Sequence, residues 1–506
     1  MNMKKLLSIL SIACLTLFPS CNDWLDVTPQ GQVEAEELYE TTQGCNSVVT
    51  GIYHTLSSSS LFGQNLSYGL IDIMAQYWDF STNTSHIYYP ATQFDYDDTN
   101  VDGQITTMWQ QLYYAITQCN AFIYYSDPYK ENIKHYDLLL GEVYGLRALA
   151  HMTLFELYGP VIHSTADLQK SAIAYRTEYN NVSKNFDTGE VVLQKAAEDL
   201  NRAIELFAED PIRDPENSRR ADLNTSVLDY EDVLNFRGAR MNYFCALGLM
   251  ARLEMLRKNP TAAYTYATRV IQESEGILSL IDTNNIANNT NMSDWNFSTE
   301  ILGSFYTNNL YDLTDDFFQM GENAGNTNNV IFIDNNRVEA LTNYVYGRTP
   351  DGSGQDIRLF WFQGNQETGR NDFMKLKESP VLTTIDPYAY YPEVPIMRLS
   401  EIYYIACEAQ IGVNNTLALE YLNDLRSTRR LDALTGPYDD ATLLEYLVRE
   451  ARKDFIGEGR MFFMYKRLFY DIYNVRGRVI AASDANYVLP IPDEEYEYTG
   501  QQKPAN

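Results

Sequence analysis

Paired helical segments, with small and aromatic residues on one face of each and a short turn between them, recur along this chain and limit its fold more than any other feature. In GEVYGLRALAHMTLFELYGP, residues 141–160, Val143, Leu146, Ala150, Leu154 and Leu157 share one helical face, and Gly159-Pro160 supplies the stop. After a polar stretch, EVVLQKAAEDLNRAIELF repeats the period. FRGARMNYFCALGLMARLEMLRKNP then turns at Asn259-Pro260 into TAAYTYATRVI, and RLSEIYYIACEAQIGVNNTLALEYLNDLRSTRRL does so again. With the region around 34–56 and MWQQLYYAITQCNAFIYYS, the pattern predicts about four helix pairs, near 34–126, 136–207, 236–274 and 398–430.

Such pairs have the signature of tetratricopeptide-like units, each burying its apolar face against the next, so the expected fold is mostly α. A stacked array can carry 506 residues as one structural unit, and residues 21–506 are read as a single domain. Two stretches interrupt the pairs, 61–104 and 275–395, rich in Asn, Asp, Ser, Thr, Gly and aromatic residues. Loops this long tend to bind something, and their aromatic content argues against disorder.

Ligand recognition of a sugar needs flat apolar faces framed by groups that satisfy hydroxyls, and the insertions supply that mixture. AQYWDFSTNTSHIYYP offers Tyr77, Trp78, Asp79, Asn83, Tyr88 and Tyr89; SDWNFSTEILGSFYTNN offers Trp295, Tyr306 and Asn308; RLFWFQGN offers Arg358 and Trp361. Trp78 and Trp295 lead, because amides or carboxylates flank them. Trp109 opens an amphipathic helix and reads as core.

At the N-terminus, Lys4 and Lys5, the apolar run Leu6 to Phe18 and Ser20 precede Cys21, which is the layout of a lipoprotein signal over residues 1–20, with Cys21 the acylated residue. The leader is too short to span a bilayer, and no later run approaches about 18 uninterrupted apolar residues. The formal charge is −30, and loss of a leader with two lysines and no acid takes it to −32. Such a surface repels phosphate backbones and excludes nucleic acid as a partner. Cys45, Cys119, Cys245 and Cys407 lie far apart on apolar helical stretches and read as buried free thiols.

Catalytic and metal signatures are weak. His54, His86, His135, His151 and His163 show no paired metal spacing, no GxSxG elbow occurs, and no carboxylate pair is singled out. DTNVDG, residues 98–103, opens like a calcium loop, but Trp109 stands where the bidentate Glu belongs, so it reads as a helix cap. Glu450, Arg452, Glu458 and Arg460 read as ion-paired packing on a C-terminal helix, and LPIP with Glu495 as a segment that pins the chain end to the core. No catalytic residue, metal or cofactor is expected.

YPEVPIMRLSEIYYIACEAQ, ALEYLNDLRSTRR, EARKDFIGEGRMFFMYKRL and the closing YVLPIPDEEYEYTGQQKPAN together resemble the SusD/RagB family of outer-membrane nutrient-binding lipoproteins. GEVYGLRALAHMTLFELYGP and CNDWLDVTPQGQ resemble that family's helix-turn and mature N-terminus. The resemblance implies a SusD-like α-helical fold with four tetratricopeptide-like units. It implies a lipid-anchored, cell-surface protein of the outer membrane that lies over a SusC-like TonB-dependent transporter and binds oligosaccharide for import, or peptide in RagB-like members. Ala451 after Glu450, and FFMYKR, depart from the common family pattern and leave the cargo open. A helical glycoside hydrolase and a pure tetratricopeptide adaptor are the competing classes.

Overall fold

Many of the long helices open on a side chain that replaces a missing backbone partner. Thr41 accepts from the Gly44 N–H at 3.1 Å, Asn242 from Cys245 at 3.0 Å, Asn414 from Leu417 at 3.2 Å and Asp439 from Thr442 at 2.8 Å. Asp98, the first residue of the calcium-like sequence, caps in the same way, accepting from Asn100 at 3.0 Å and Val101 at 3.2 Å.

The computed structural model describes residues 36–78, 80, 84–216, 218, 220, 233–282, 294–318, 333–334, 356–365, 370–377 and 392–501. The leader, Cys21, Asp79 and Asn83 lie outside them. The helices are α1 (Thr42–Leu56), α2 (Leu70–Met74), α3 (Tyr89–Thr92), α4 (Thr99–Ser126), α5 (Tyr136–Tyr158), α6 (Gly189–Leu206), α7 (Tyr243–Leu256), α8 (Pro260–Glu273), α9 (Leu310–Phe318), α10 (Leu399–Gln410), α11 (Asn415–Thr428), α12 (Asp440–Asp454), α13 (Arg460–Leu468), α14 (Asp484–Tyr487) and α15 (Asp493–Thr499). The fold is mostly α, as the periodicity predicts. Helix α1 packs along α4, α5 along α6, α7 along α8 and α10 along α11, and α4 on α5, α6 on α7 and α8 on α10 join these hairpins into one array. In α7 every residue from Tyr243 to Leu256 is buried, and it passes so close to the β-ribbon that a Cβ on Gly248 would meet Met397 Sδ at 2.3 Å.

The second insertion contributes strands. β1 (Ile301–Tyr306) pairs antiparallel with β5 (Glu393–Arg398), and β2 (Ile333–Asp334), β4 (Arg370–Phe373) and β3 (Phe362–Asn365) form a small antiparallel sheet in that order. A hairpin of β6 (Ile472–Tyr473) and β7 (Val479–Ile480) follows α13.

The C-terminal segment returns to the start of the chain. Trp109, 1% exposed, donates its indole N–H to Glu495 at 3.0 Å, Tyr96 donates to the Asn486 carbonyl at 2.6 Å, and the Leu489 N–H reaches the Leu157 carbonyl at 3.1 Å. Lys466, on α13, donates to the carbonyls of Glu156, Leu157 and Gly159 at 2.7, 3.2 and 2.7 Å, capping the C-terminus of α5 from another element. Cys45, Cys119, Cys245 and Cys407 are buried and unpaired. Among the described residues no helix is long and apolar enough to cross a membrane.

Candidate functional site

A lattice of buried ion pairs fastens the second insertion to the array. Glu300, at the foot of β1, accepts from Arg429 at 2.6 and 2.9 Å and from Arg398 at 2.9 Å. Asp454 holds Arg429 and Arg358, Glu450 holds Arg358, Arg426 and Lys453, and Asp356 holds Arg358. Glu458 holds Arg398 at 2.8 Å and Lys375 at 2.5 Å, and Lys375 also donates to the carbonyls of Asp454 and Ile456. Six cations face five carboxylates, all buried, so each charge needs its partners to repay its desolvation.

The titration of the lattice follows from that balance. Burial alone would raise the Glu450 carboxyl, but Lys453, Arg358 and Arg426 overcome it and bring it down to about 2. Asp454 is likewise held well below the ordinary carboxylate range by Arg429, Arg358 and Arg398 against its burial. Burial lowers the Lys375 ammonium to about 8 despite Glu458.

Glu450, Glu458 and Arg460 are ion-paired packing groups as read, whereas Arg452 donates to the Tyr465 hydroxyl at 2.8 Å and the Gln76 carbonyl at 3.3 Å, and the four do not share one helix. Helix α12 ends at Asp454, the chain turns through Gly457 and Gly459, and α13 begins at Arg460, which pairs with Glu156 at 2.9 Å.

That turn fastens the first insertion. Asp72 in α2 accepts from the Gly457 N–H at 3.0 Å, and Tyr77 donates to the Arg452 carbonyl at 2.5 Å. Gly459, at φ +68°, lies so close to the Leu66 carbonyl that a Cβ would stand 2.1 Å from its oxygen. Burial raises the Asp72 carboxyl to about 7, against the Gly457 N–H and Lys375.

The two insertions meet ring to ring. Trp78 packs on Phe318 at 5.1 Å and Phe373 at 5.4 Å, Tyr68 on Phe317 at 5.3 Å, and Tyr88 on Phe317 at 5.6 Å. Trp361 donates its indole N–H to the Trp295 carbonyl at 2.9 Å, with Phe297 beside its ring and the Lys375 ammonium over it at 4.2 Å.

These positions correct the expectation for five residues. Tyr77, Trp78, Trp295 and Trp361 are between 0% and 5% exposed, and Arg358 is wholly buried in the ion lattice. Rings so enclosed are core: Trp78 packs on the other insertion, Tyr77 on Arg452, and Trp361 on Trp295, Phe297 and Lys375 of its own insertion, so polar neighbours in sequence do not keep them at the surface. Tyr88 is buried and Tyr89 half-buried.

Tyr306 and Asn308 are different. Tyr306, the last residue of β1, is 49% exposed, and Asn308 and Asn309 beside it are exposed in the turn before α9. The Thr307 N–H is tied to the Pro392 carbonyl at 2.8 Å, and Leu310 N–H to Thr307, which fixes the turn that presents them. Ile87, 45% exposed, belongs to the His86–Tyr88 stretch that packs on the same helix, α9. Asn309 and Ile87 were not singled out in the sequence, although the TNN run after a strand is the signal that marks the first. The described part of the candidate site is therefore the exposed side chains of Tyr306, Asn308 and Asn309 on the turn between β1 and α9.

Nothing in the described residues gathers three or more His, Cys, Asp or Glu side chains to hold a metal ion. His151 is an ordinary core group: its ring stacks on Tyr175 at 3.6 Å, Nδ1 faces the Arg147 carbonyl and Nε2 accepts from the Arg176 N–H, while burial and Arg147 keep it neutral.

Comparison with known proteins places relatives around this arrangement. The family model described as the SusD family matches residues 364–505, and one described as starch-binding associating with outer membrane matches residues 23–222. SusD-like protein P2 of Formosa agariphila is 25% identical over 161 residues, 31% of each chain, so the match spans about a third of that relative. A SusD superfamily protein from Bacteroides thetaiotaomicron superposes with a TM-score of 0.68 at 20% identity, covering 91% of this chain and 98% of that one. A SusD-like carbohydrate binding protein from Bacteroides vulgatus superposes with a TM-score of 0.65 at 16% identity, covering 91% and 97%.

Proposed function

From the premise that this chain belongs to the SusD/RagB family, we propose that it is a non-enzymatic glycan-binding lipoprotein that captures oligosaccharide and delivers it to a SusC-like TonB-dependent transporter. The observation that carries the reading is the rim of Tyr306, Asn308 and Asn309, exposed on a turn that buried ion pairs and packed rings hold still. A pyranose stacks its C–H face on the phenol, and the amides donate to and accept from its hydroxyls. A binder gains from a base that does not move, because little ordering entropy is lost on capture.

Asp79 and Asn83, outside the described residues, are kept in this proposal as sugar-binding residues of the first insertion. Acylation of Cys21 fastens the protein to the outer membrane, facing outward, and confinement with the barrel raises the concentration of captured sugar at the pore. The starch-binding wording of one matching family model and the carbohydrate-binding description of one structural relative support sugar over peptide. The buried lattice carboxylates are committed to cations, which favours binding over turnover.

Calorimetry of the chain from residue 22 onward against oligosaccharides and peptides tests this. Tyr306→Ala is expected to weaken sugar binding by roughly 1–3 kcal/mol, about the loss of one stacked ring, while Tyr306→Phe keeps it. Binding of peptides with no response to sugars would assign the cargo to the RagB-like class, and release of reducing ends would overturn the non-enzymatic reading.

A further inference from the structure

A second group of exposed rings lies outside the sequence of both insertions, on the end of α4 and on the connection between α5 and α6. Tyr124 is 65% exposed and Tyr179 43% exposed, yet neither stands alone. Tyr124 meets Tyr125 edge-on at 4.9 Å and Tyr179 at 6.3 Å, Tyr125 meets Tyr179 at 5.4 Å, and Tyr39 stacks under Tyr125 at 5.2 Å.

The loop that carries Tyr179 is pinned from the core. Asn120, 3% exposed, donates to the carbonyls of Arg176 and Glu178 at 3.2 and 3.4 Å, and accepts from Arg147 at 2.8 Å, which Asp199 grips at 2.7 and 2.6 Å. Outside, Arg176 donates to the Val182 carbonyl and to Asn180, and Asn180 donates to Glu178 at 2.8 Å. The rings are thus held in place before anything binds, beside the amide of Asn180 and the carboxylate of Glu178.

We propose that Tyr124, Tyr125 and Tyr179, with Glu178 and Asn180, form a second binding site for a neutral oligosaccharide. The size of the patch decides against a protein partner: at these exposures the two outer rings offer about 200 Å², well short of the roughly 800 Å² per partner in a stable protein interface, and close to what one or two sugar rings cover. The acid beside the rings and the charge of −30 decide against an anionic ligand. Glu178 and Asn180, bonded to each other at 2.8 Å and exposed, set a polar border beside the rings that suits a hydroxyl-bearing ligand better than a hydrocarbon one. The proposal rests on the glycan-binding reading but uses different residues on different elements, so one chain takes a sugar at each of two places.

Equilibrium dialysis against maltotriose, xylotriose, mannotriose and cellotriose, with the chain from residue 22 onward, counts the sites. For the trisaccharide that binds, two molecules per chain are expected. Y124A/Y179A and Y306A each reduce this to one without altering the melting temperature, and Y124F/Y179F retains two. One molecule per chain, lost in Y306A and unaffected by Y124A/Y179A, overturns this site and leaves the proposed function standing. Retention of none of the trisaccharides or longer oligosaccharides overturns both. If Y124A/Y179A keeps both saccharides and loses adsorption to phosphatidylethanolamine vesicles, the patch serves lipid and the proposal falls.

Discussion

Glu450 shows how single buried charges set the stability of this protein. Its carboxylate is bonded to Arg358, Arg426 and Lys453, so Glu450→Gln leaves cations without their counter-charge and is expected to cost about 3–5 kcal/mol in denaturant unfolding. The same group predicts an acid limb. A carboxyl at about 2 when folded and near 4.5 when unfolded stabilises the fold above that upper value, so the melting temperature falls as pH drops from about 4.5 towards 2. Asp72 acts with the opposite sign. Raised to about 7, it keeps its proton in the folded state after the unfolded chain has lost it at about 3.8, so stability declines as pH rises between these values. Asp72→Asn removes that second slope, which a series of melting curves from pH 4 to 7 will reveal. The role of Glu450 and Glu458 as packing charges is legible in the sequence; their partners are not, because Arg358 and Arg398 lie 92 and 60 residues away. For the same reason Trp78 and Trp295 mislead: the groups that cover Trp78 belong to the other insertion.

At the scale of elements, the helices are readable because their period is local, and the β1–β5 ribbon is not. Both strands are buried on nearly every residue, so neither ILGSFY nor EVPIMR alternates, and they pair across an insertion of their own. The turn between α12 and α13 is the other element that pattern alone does not explain. Its two glycines take positive φ, and Gly459 abuts the Leu66 carbonyl, so the turn clamps the first insertion by backbone contact. Gly459→Ala is expected to separate that contact. Limited proteolysis should then cut within residues 61–104 faster than in the unaltered chain, while cleavage elsewhere keeps its rate.

At the scale of the molecule, the four thiols report on the closed array. Burial pushes Cys45 up to about 11 and Cys119 and Cys245 up to about 12, so a thiol reagent at neutral pH is expected to modify none of the four in the folded protein and all of them in guanidinium. Partial labelling of the native protein would show the hairpins opening independently.

The bond from Glu495 to Trp109 spans 386 residues, and it bears on the order of folding. Contacts between groups so far apart in sequence form late, because the intervening loop must be closed before they contribute. Until α15 docks, the enclosed indole of α4 has no acceptor, so the first helices stay incompletely satisfied while the hairpins between them pack.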